Sequence, residues 1–229
     1  NIIKKIEIYE PIGNYWNARI DNVSHYEEPK FTPHKKIIND IINKYKNNTK
    51  YSLNNSAYLG CLLHGEPGGG KSSIAKDLAL QLNAKFIANY SPTRPGIEIN
   101  RFFKENTPTL DEPIVILINE FDKVVKSCYE EKVKTTNEYY QEVINKLSLN
   151  NFIDKLSAYQ GIILICTSNS SLDWFNDNKY DSTIRTGRFD MKLLIDILDD
   201  DEIEELNNMG YCCESKILQD VEFNHKKLV

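Results

Sequence analysis

The octapeptide Gly65-Glu66-Pro67-Gly68-Gly69-Gly70-Lys71-Ser72 restricts the possible folds more than any other stretch of this chain. Its spacing is G-x-x-x-x-G-K-S. It follows the apolar run Tyr58-Leu59-Gly60-Cys61-Leu62-Leu63-His64 and precedes Ser72 to Leu82, where Ile74, Leu78 and Leu82 recur on one helical face. A buried strand, a glycine loop and a helix in that order form a cradle for an anion. The glycines let backbone N–H groups turn inward, and the helix start adds the positive end of its dipole. The plainer alternative is a glycine-rich turn with a solvated lysine, and the flanking strand and helix argue against it. The expected nucleotide contacts are Gly65, Glu66, Pro67, Gly68, Gly69, Gly70, Lys71, Ser72 and Ser73. Lys71 is expected to reach the β- and γ-phosphates of ATP, and the Ser72 hydroxyl to ligand Mg2+.

The remaining apolar pattern continues the same architecture. Ile37, Ile38, Ile41, Ile42 and Tyr45 lie on one helical face, and the polar run Lys46 to Ser56 reads as a loop. Strands are expected at Lys85–Asn89, Pro113–Ile118, Gly161–Cys166 and Met191–Ile197, with helices at Ile97–Glu105 and Glu138–Ala158 between them. This alternation specifies an α/β fold with a parallel sheet between helices. Ile2 to Tyr15 reads as a short strand or the tail of a preceding domain. The organisation expected is an N-terminal extension over 1–20, a nucleotide-binding core over 21–200, and a C-terminal tail or the start of a helical lid over 201–229.

At 229 residues with 41% hydrophobic content, the chain is long enough for one large core. A net charge of −5 with intermixed signs offers no basic field for nucleic acid, which is unsupported as a partner. The five cysteines form no CxxC pair and the four histidines no cluster, so reduced thiols and no transition-metal site are expected. No apolar run reaches membrane-span length, and no secretory signal opens the chain. The expected location is intracellular, cytoplasmic or in an organelle. Asp199-Asp200-Asp201-Glu202 suits an acidic helix start. Phe102-Phe103 and Tyr139-Tyr140 are expected in the core, and the charged segment Lys123 to Tyr140 as a solvated loop and helix face.

Two further polar tips complete the chemistry. Ile114 to Ile118 ends in Asn119-Glu120-Phe121-Asp122, where an acid associated with magnesium and a water-orienting Glu are expected beside the phosphate loop. Glu120 fits the base; Asn119 stands where the acid is expected and brings an amide oxygen without its charge, which predicts weak ion retention and slow turnover. Gly161 to Cys166 ends in Thr167-Ser168-Asn169, and Asn169 is a candidate for the γ-phosphate or the lytic water. Ile184-Arg185-Thr186-Gly187-Arg188-Phe189-Asp190 follows, with two guanidinium groups suited to phosphoryl charge.

Together these four motifs resemble the AAA family of P-loop ATPases over about residues 20 to 200. A looser likeness points to the mitochondrial AAA chaperones that translocate the folded Rieske iron–sulfur protein. By that resemblance, Lys71 and Ser72 are the Walker A pair, Glu120 the Walker B catalytic Glu, and Asn169 sensor 1. Arg185 and Arg188 match the arginine fingers, which in that family act across a subunit boundary. The resemblance implies a five-stranded parallel sheet of order 5-1-4-3-2 and ATP hydrolysis with Mg2+. It also implies a homo-oligomeric ring, hexamer or heptamer, that remodels a protein client. The chain departs from the family at Asn119, in the insertion Trp174 to Tyr180, and in Tyr90-Ser91-Pro92-Thr93-Arg94-Pro95-Gly96, which replaces an aromatic pore loop. The lid is expected to be truncated or rudimentary, and no sensor 2 arginine can be named. Two other readings compete: a nucleotide-gated scaffold with little hydrolysis, and a P-loop kinase acting as a monomer on a small molecule.

Overall fold

The computed structural model describes residues 4–23, 32–51 and 57–195, together with 204, 208, 211–213 and 221–223. The acidic run at Asp199 to Glu202 lies outside the described residues, as does most of the expected lid. Strands β1 (Lys4–Ile12) and β2 (Tyr15–Val23) form a hairpin, followed by helix α1 (Thr32–Tyr51). Then come β3 (Tyr58–His64), α2 (Lys71–Leu82), β4 (Lys85–Ile87), α3 (Ile99–Glu105) and β5 (Ile114–Ile118). Helices α4 (Phe121–Tyr129) and α5 (Lys146–Leu156) lead to β6 (Ile162–Ser168), α6 (Leu172–Asp177) and β7 (Met191–Leu194). A separate antiparallel pair joins β8 (Tyr211–Cys213) to β9 (Val221–Phe223).

The main sheet has seven strands in the order β2-β1-β4-β5-β6-β3-β7. Counting from β3, its last five follow the expected order 5-1-4-3-2, all parallel. The hairpin enlarges the expected sheet: β1 pairs parallel with β4 through Ile8 and Tyr9, opposite Phe86 and Ile87. Strand β4 is three residues long and needs a neighbour on its open side. Ile6 and Ile8 supply it, at 2% and 1% exposure.

Strands β3, β5 and β6 are buried at every position, as expected of strands covered on both faces. Their side chains alternate between two cores. Ile114, Ile116, Ile118, Ile162 and Leu164 pack with Phe102, Phe103, Phe121 and Phe152 on the side of α3, α4 and α5. Val115, Leu117, Ile163 and Ile165 pack with Ile38, Ile41, Ile74 and Leu78 of α1 and α2 on the other.

Three local expectations are corrected. Helix α1 continues to Tyr51, through part of the expected loop. The expected helix over 138–158 shrinks to α5, because tertiary hydrogen bonds claim the backbone before it. Gly96 N donates to Tyr140 O at 2.8 Å, Val143 N to Pro92 O at 3.2 Å, and the Gln141 amide to Thr93 O at 2.5 Å. Asn145 then starts the helix with a capping box, its side chain accepting from Ser148 N at 2.9 Å. With that stretch pinned outside a helix, Tyr139 and Tyr140 are exposed rather than core. Phe102 and Phe103 are buried as expected. The insertion Trp174 to Tyr180 forms α6 and an aromatic brace: Tyr180 meets Tyr129 of α4 edge-on at 4.6 Å and Trp174 at 5.1 Å.

Candidate functional site

The glycine loop links the tip of β3 to the start of α2. Its conformation requires glycine: φ is 141° at Gly65, 87° at Gly68 and 77° at Gly70. At Gly65 an added Cβ would lie 2.0 Å from Ile195 O, so the side chain is excluded by space as well as by backbone angle. Gly65 N donates to Ser168 O at 3.2 Å, tying the loop to the end of β6.

Lys71, 7% exposed, curls its ammonium under the loop and donates to Gly65 O at 2.8 Å and Glu66 O at 2.6 Å. Burial pulls its pKa below the ordinary lysine value, while the Glu66 and Asp122 carboxylates oppose that shift. A phosphate oxygen is the natural replacement for the two carbonyl acceptors.

Beside the loop, Asn119 is a hub of neutral polar contacts. Its Oδ1 accepts from Ser72 Oγ at 2.8 Å and from Thr167 Oγ1 at 3.2 Å, and its Nδ2 donates to Asn89 Oδ1 at 2.6 Å. Thr167 Oγ1 in turn accepts from Glu120 N at 3.3 Å. One cluster therefore joins the tips of β4, β5 and β6 to the first turn of α2, at the carboxyl ends of the parallel strands, where such sheets bind ligands. Among the described residues no three His, Cys, Asp or Glu side chains converge on a metal. That is compatible with magnesium, which takes most of its oxygens from phosphate and water and needs one or two protein ligands. Ser72 fits that role directly. Asn119 fits as an acceptor for a bound water.

Glu120 is the N-cap of α4 with φ 52°, a left-handed conformation uncommon for a residue with a side chain. That angle turns its half-exposed carboxylate out of the strand line, where Lys123 Nζ donates to Oε1 at 2.5 Å. Asn169 is exposed one residue past β6, on the strand next to β5. Arg185 and Arg188 are not brought to this cluster within the chain. Residues 181–190 form turns rather than a helix, and Arg188 lies against Gly60 of β3, five residues before the loop, roughly 16 Å away at the usual strand rise.

Three residues enter the site unforeseen. Asn89 had shown only a polar residue at a strand tip. Asp122 is 8% exposed, accepts from Ser170 Oγ at 3.0 Å through Oδ2, and keeps Oδ1 buried with no hydrogen-bond partner. An acid two residues past the candidate base was its only sequence signal. His34 of α1 reaches the loop from the far side, with Nε2 3.1 Å from Gly69 O and its ring filling the space beside Gly70. Burial lowers its pKa, so the ring is neutral near pH 7, and the carbonyl acceptor fixes the proton on Nε2. Nothing in the sequence links a lone histidine to a loop 35 residues away.

Comparison with known proteins bears on the same residues. Over 61–197, more than half of the chain, the sequence matches the model of the ATPase family associated with various cellular activities (AAA). It is 27% identical over 201 residues to the ATP-dependent zinc metalloprotease FtsH 3 of Phytoplasma mali, covering 84% of this chain and 32% of that protein. Against the ATP-dependent zinc metalloprotease FtsH of Karelsulcia muelleri it is 26% identical over 192 residues, covering 80% of this chain and 29% of the relative. A putative cell division cycle ATPase of Plasmodium falciparum is 27% identical over 157 residues, covering 65% of this chain and 12% of that protein. The chain thus spans about a third or less of these relatives. With the glycine loop, the polar strand tips and this match in agreement, the chain belongs to the AAA family of ATPases.

Proposed function

We propose that this chain hydrolyses ATP with magnesium as a subunit of a homo-oligomeric ring, hexameric or heptameric, and uses the cycle to remodel a protein client. The observation that carries the hydrolytic reading is the joining of Ser72, Asn119, Thr167 and the Glu120 backbone into one hydrogen-bonded cluster beside the glycine loop. Lys71 exchanges its two carbonyl partners for β- and γ-phosphate oxygens. Glu120 leaves Lys123 and takes a proton from the water attacking the γ-phosphate, with Asn169 orienting that water. Ser72, and Asn119 through a water, would hold magnesium, which would supply charge neutralisation at the phosphates. Steady-state phosphate release across a protein concentration series, read with light scattering, tests the reading. Activity that rises with assembly supports it; hydrolysis at background in the assembled state removes it.

Three observations favour a second reading, a nucleotide-gated scaffold. The cation station is uncharged at Asn119, and Glu120 is engaged by Lys123. Tyr90, where the family's pore loop begins, is buried at 1% and so presents no aromatic ring to a threaded chain. Asn119→Asp separates the readings. Restoring a carboxylate next to Ser72 is expected to lower the half-saturating magnesium concentration roughly tenfold and to raise turnover. A variant that binds magnesium tighter yet still fails to release phosphate supports the scaffold.

A further inference from the structure

The residues on either side of Asn169 are held more firmly than Asn169 itself. Ser168, the last residue of β6, is 1% exposed. Its Oγ accepts from Ser170 N and donates to Ser170 O, each at 2.9 Å, which closes a turn around Asn169. Ser168 O accepts from Gly65 N and so ties that turn to the glycine loop. Ser170 Oγ donates to Asp122 Oδ2 at 3.0 Å and ties it to the first turn of α4. Asn169 is exposed between the two serines, and among the described residues no hydrogen bond holds its side chain. Its aim is therefore set by the backbone around it.

The segment carrying Glu120 meets this turn at both ends. Glu120 N donates to Thr167 Oγ1 at 3.3 Å, two residues before Asn169, and Asp122 holds Ser170, one residue after it. We propose that Asp122 and Ser170 are positioning residues for hydrolysis: the hydrogen bond between them aims Asn169 at the water that Glu120 activates. The inference rests on the ATPase reading above, in which Glu120 and Asn169 handle that water. A hydroxyl bonded to a carboxylate is short-ranged and directional, and an ångström of misplacement at a reacting group costs on the order of a hundredfold in rate.

Two other roles for Asp122 need its charge but not Ser170. An acid in the first turn favours the dipole of α4, and the Asp122 charge acts on Lys71. Neither explains why the carboxylate is sunk to 8% exposure with one oxygen on Ser170 and Oδ1 without a partner, an arrangement that costs stability. A support that fixes the geometry of the side chains touching substrate accounts for it.

The test uses the full chain under assembling conditions and reads kcat, KM and ATP affinity separately. Ser170→Ala keeps the Asp122 charge and removes the bond. It is expected to lower kcat about tenfold while KM and ATP affinity stay within about twofold, and Ser170→Thr, which restores a hydroxyl, is expected to recover most of the loss. In an Asn169→Ala background, Ser170→Ala is expected to lower kcat less than about twofold further, because the side chain it aims is gone. Loss factors that multiply place the action of Ser170 elsewhere and overturn the proposal.

Should Ser170→Ala misfold, Asp122→Ala with and without Asn169→Ala runs the same cycle on kcat, and multiplying factors again overturn it. Parent protein that never releases phosphate removes the ATPase reading and this inference with it, and so does Asn169→Ala that hydrolyses like the parent for the role of Asn169. Slow turnover in Asn169→Ala beside parent-like turnover in Ser170→Ala removes the inference alone.

Discussion

Replacing Glu120 by Gln is expected to cut ATP hydrolysis about a hundredfold or more while leaving ATP affinity within about threefold, since general-base catalysis contributes on that scale and the phosphate contacts lie elsewhere. The amide keeps the size of the side chain and its place at the cap of α4, where φ is 52°. It removes the proton acceptor, and it weakens the bond to Lys123, now 2.5 Å to the carboxylate. A single-turnover experiment with prebound nucleotide separates the two effects. Loss confined to the chemical step identifies Glu120 as the base. A variant that hydrolyses like the parent removes Glu120 from that role and puts weight on Asp122, whose Oδ1 is buried without a hydrogen-bond partner and whose charge acts on Lys71.

Gly65→Ala is expected to cost about 3 kcal/mol or more in stability and to abolish nucleotide binding in whatever protein folds, because strain and overpacking combine. The backbone there has φ 141°, and the new methyl would meet Ile195 O at 2.0 Å. That carbonyl is backbone rather than the end of a flexible side chain, and its residue is tied to the end of β3, with Ile195 N bonded to His64 O at 2.7 Å. Relief therefore requires the chain leaving β7 to move away from the loop. Chemical denaturation with ATP titration checks both effects. Parent-like stability would show that the contact between the loop and Ile195 yields easily.

How much of this site was legible in the sequence follows from how local each determinant is. The backbone of the glycine loop was readable, because the positive φ angles at Gly65, Gly68 and Gly70 are local demands met by glycines at fixed spacing. The five parallel strands and their order were readable too, as unbroken apolar runs and as a family likeness. The expected long helix before Ala158 failed where backbone groups of 140–143 found partners in the 92–96 loop, about 45 residues earlier. Propensity carries no information about such partners. Likewise Ile6 and Ile8 gave a strand pattern but not its neighbour, and β1 became part of the sheet because β4 had an open edge.

The sequence by itself determined that a phosphate cradle stands between a buried strand and a helix, and that Glu120 and Asn169 sit at polar strand tips, since motif spacing and hydrophobic period are local properties of the chain. Tertiary structure alone decided that Asn119 joins Ser72, Thr167 and Asn89, that His34 supports the loop from behind, and that Asp154 holds Arg188 while Arg185 is left exposed. These partners lie 30 to 48 residues apart in sequence. Only the packing of helices on the sheet brings them within hydrogen-bonding distance, and directional bonds of that kind are set by three-dimensional geometry, which no spacing of residue types encodes.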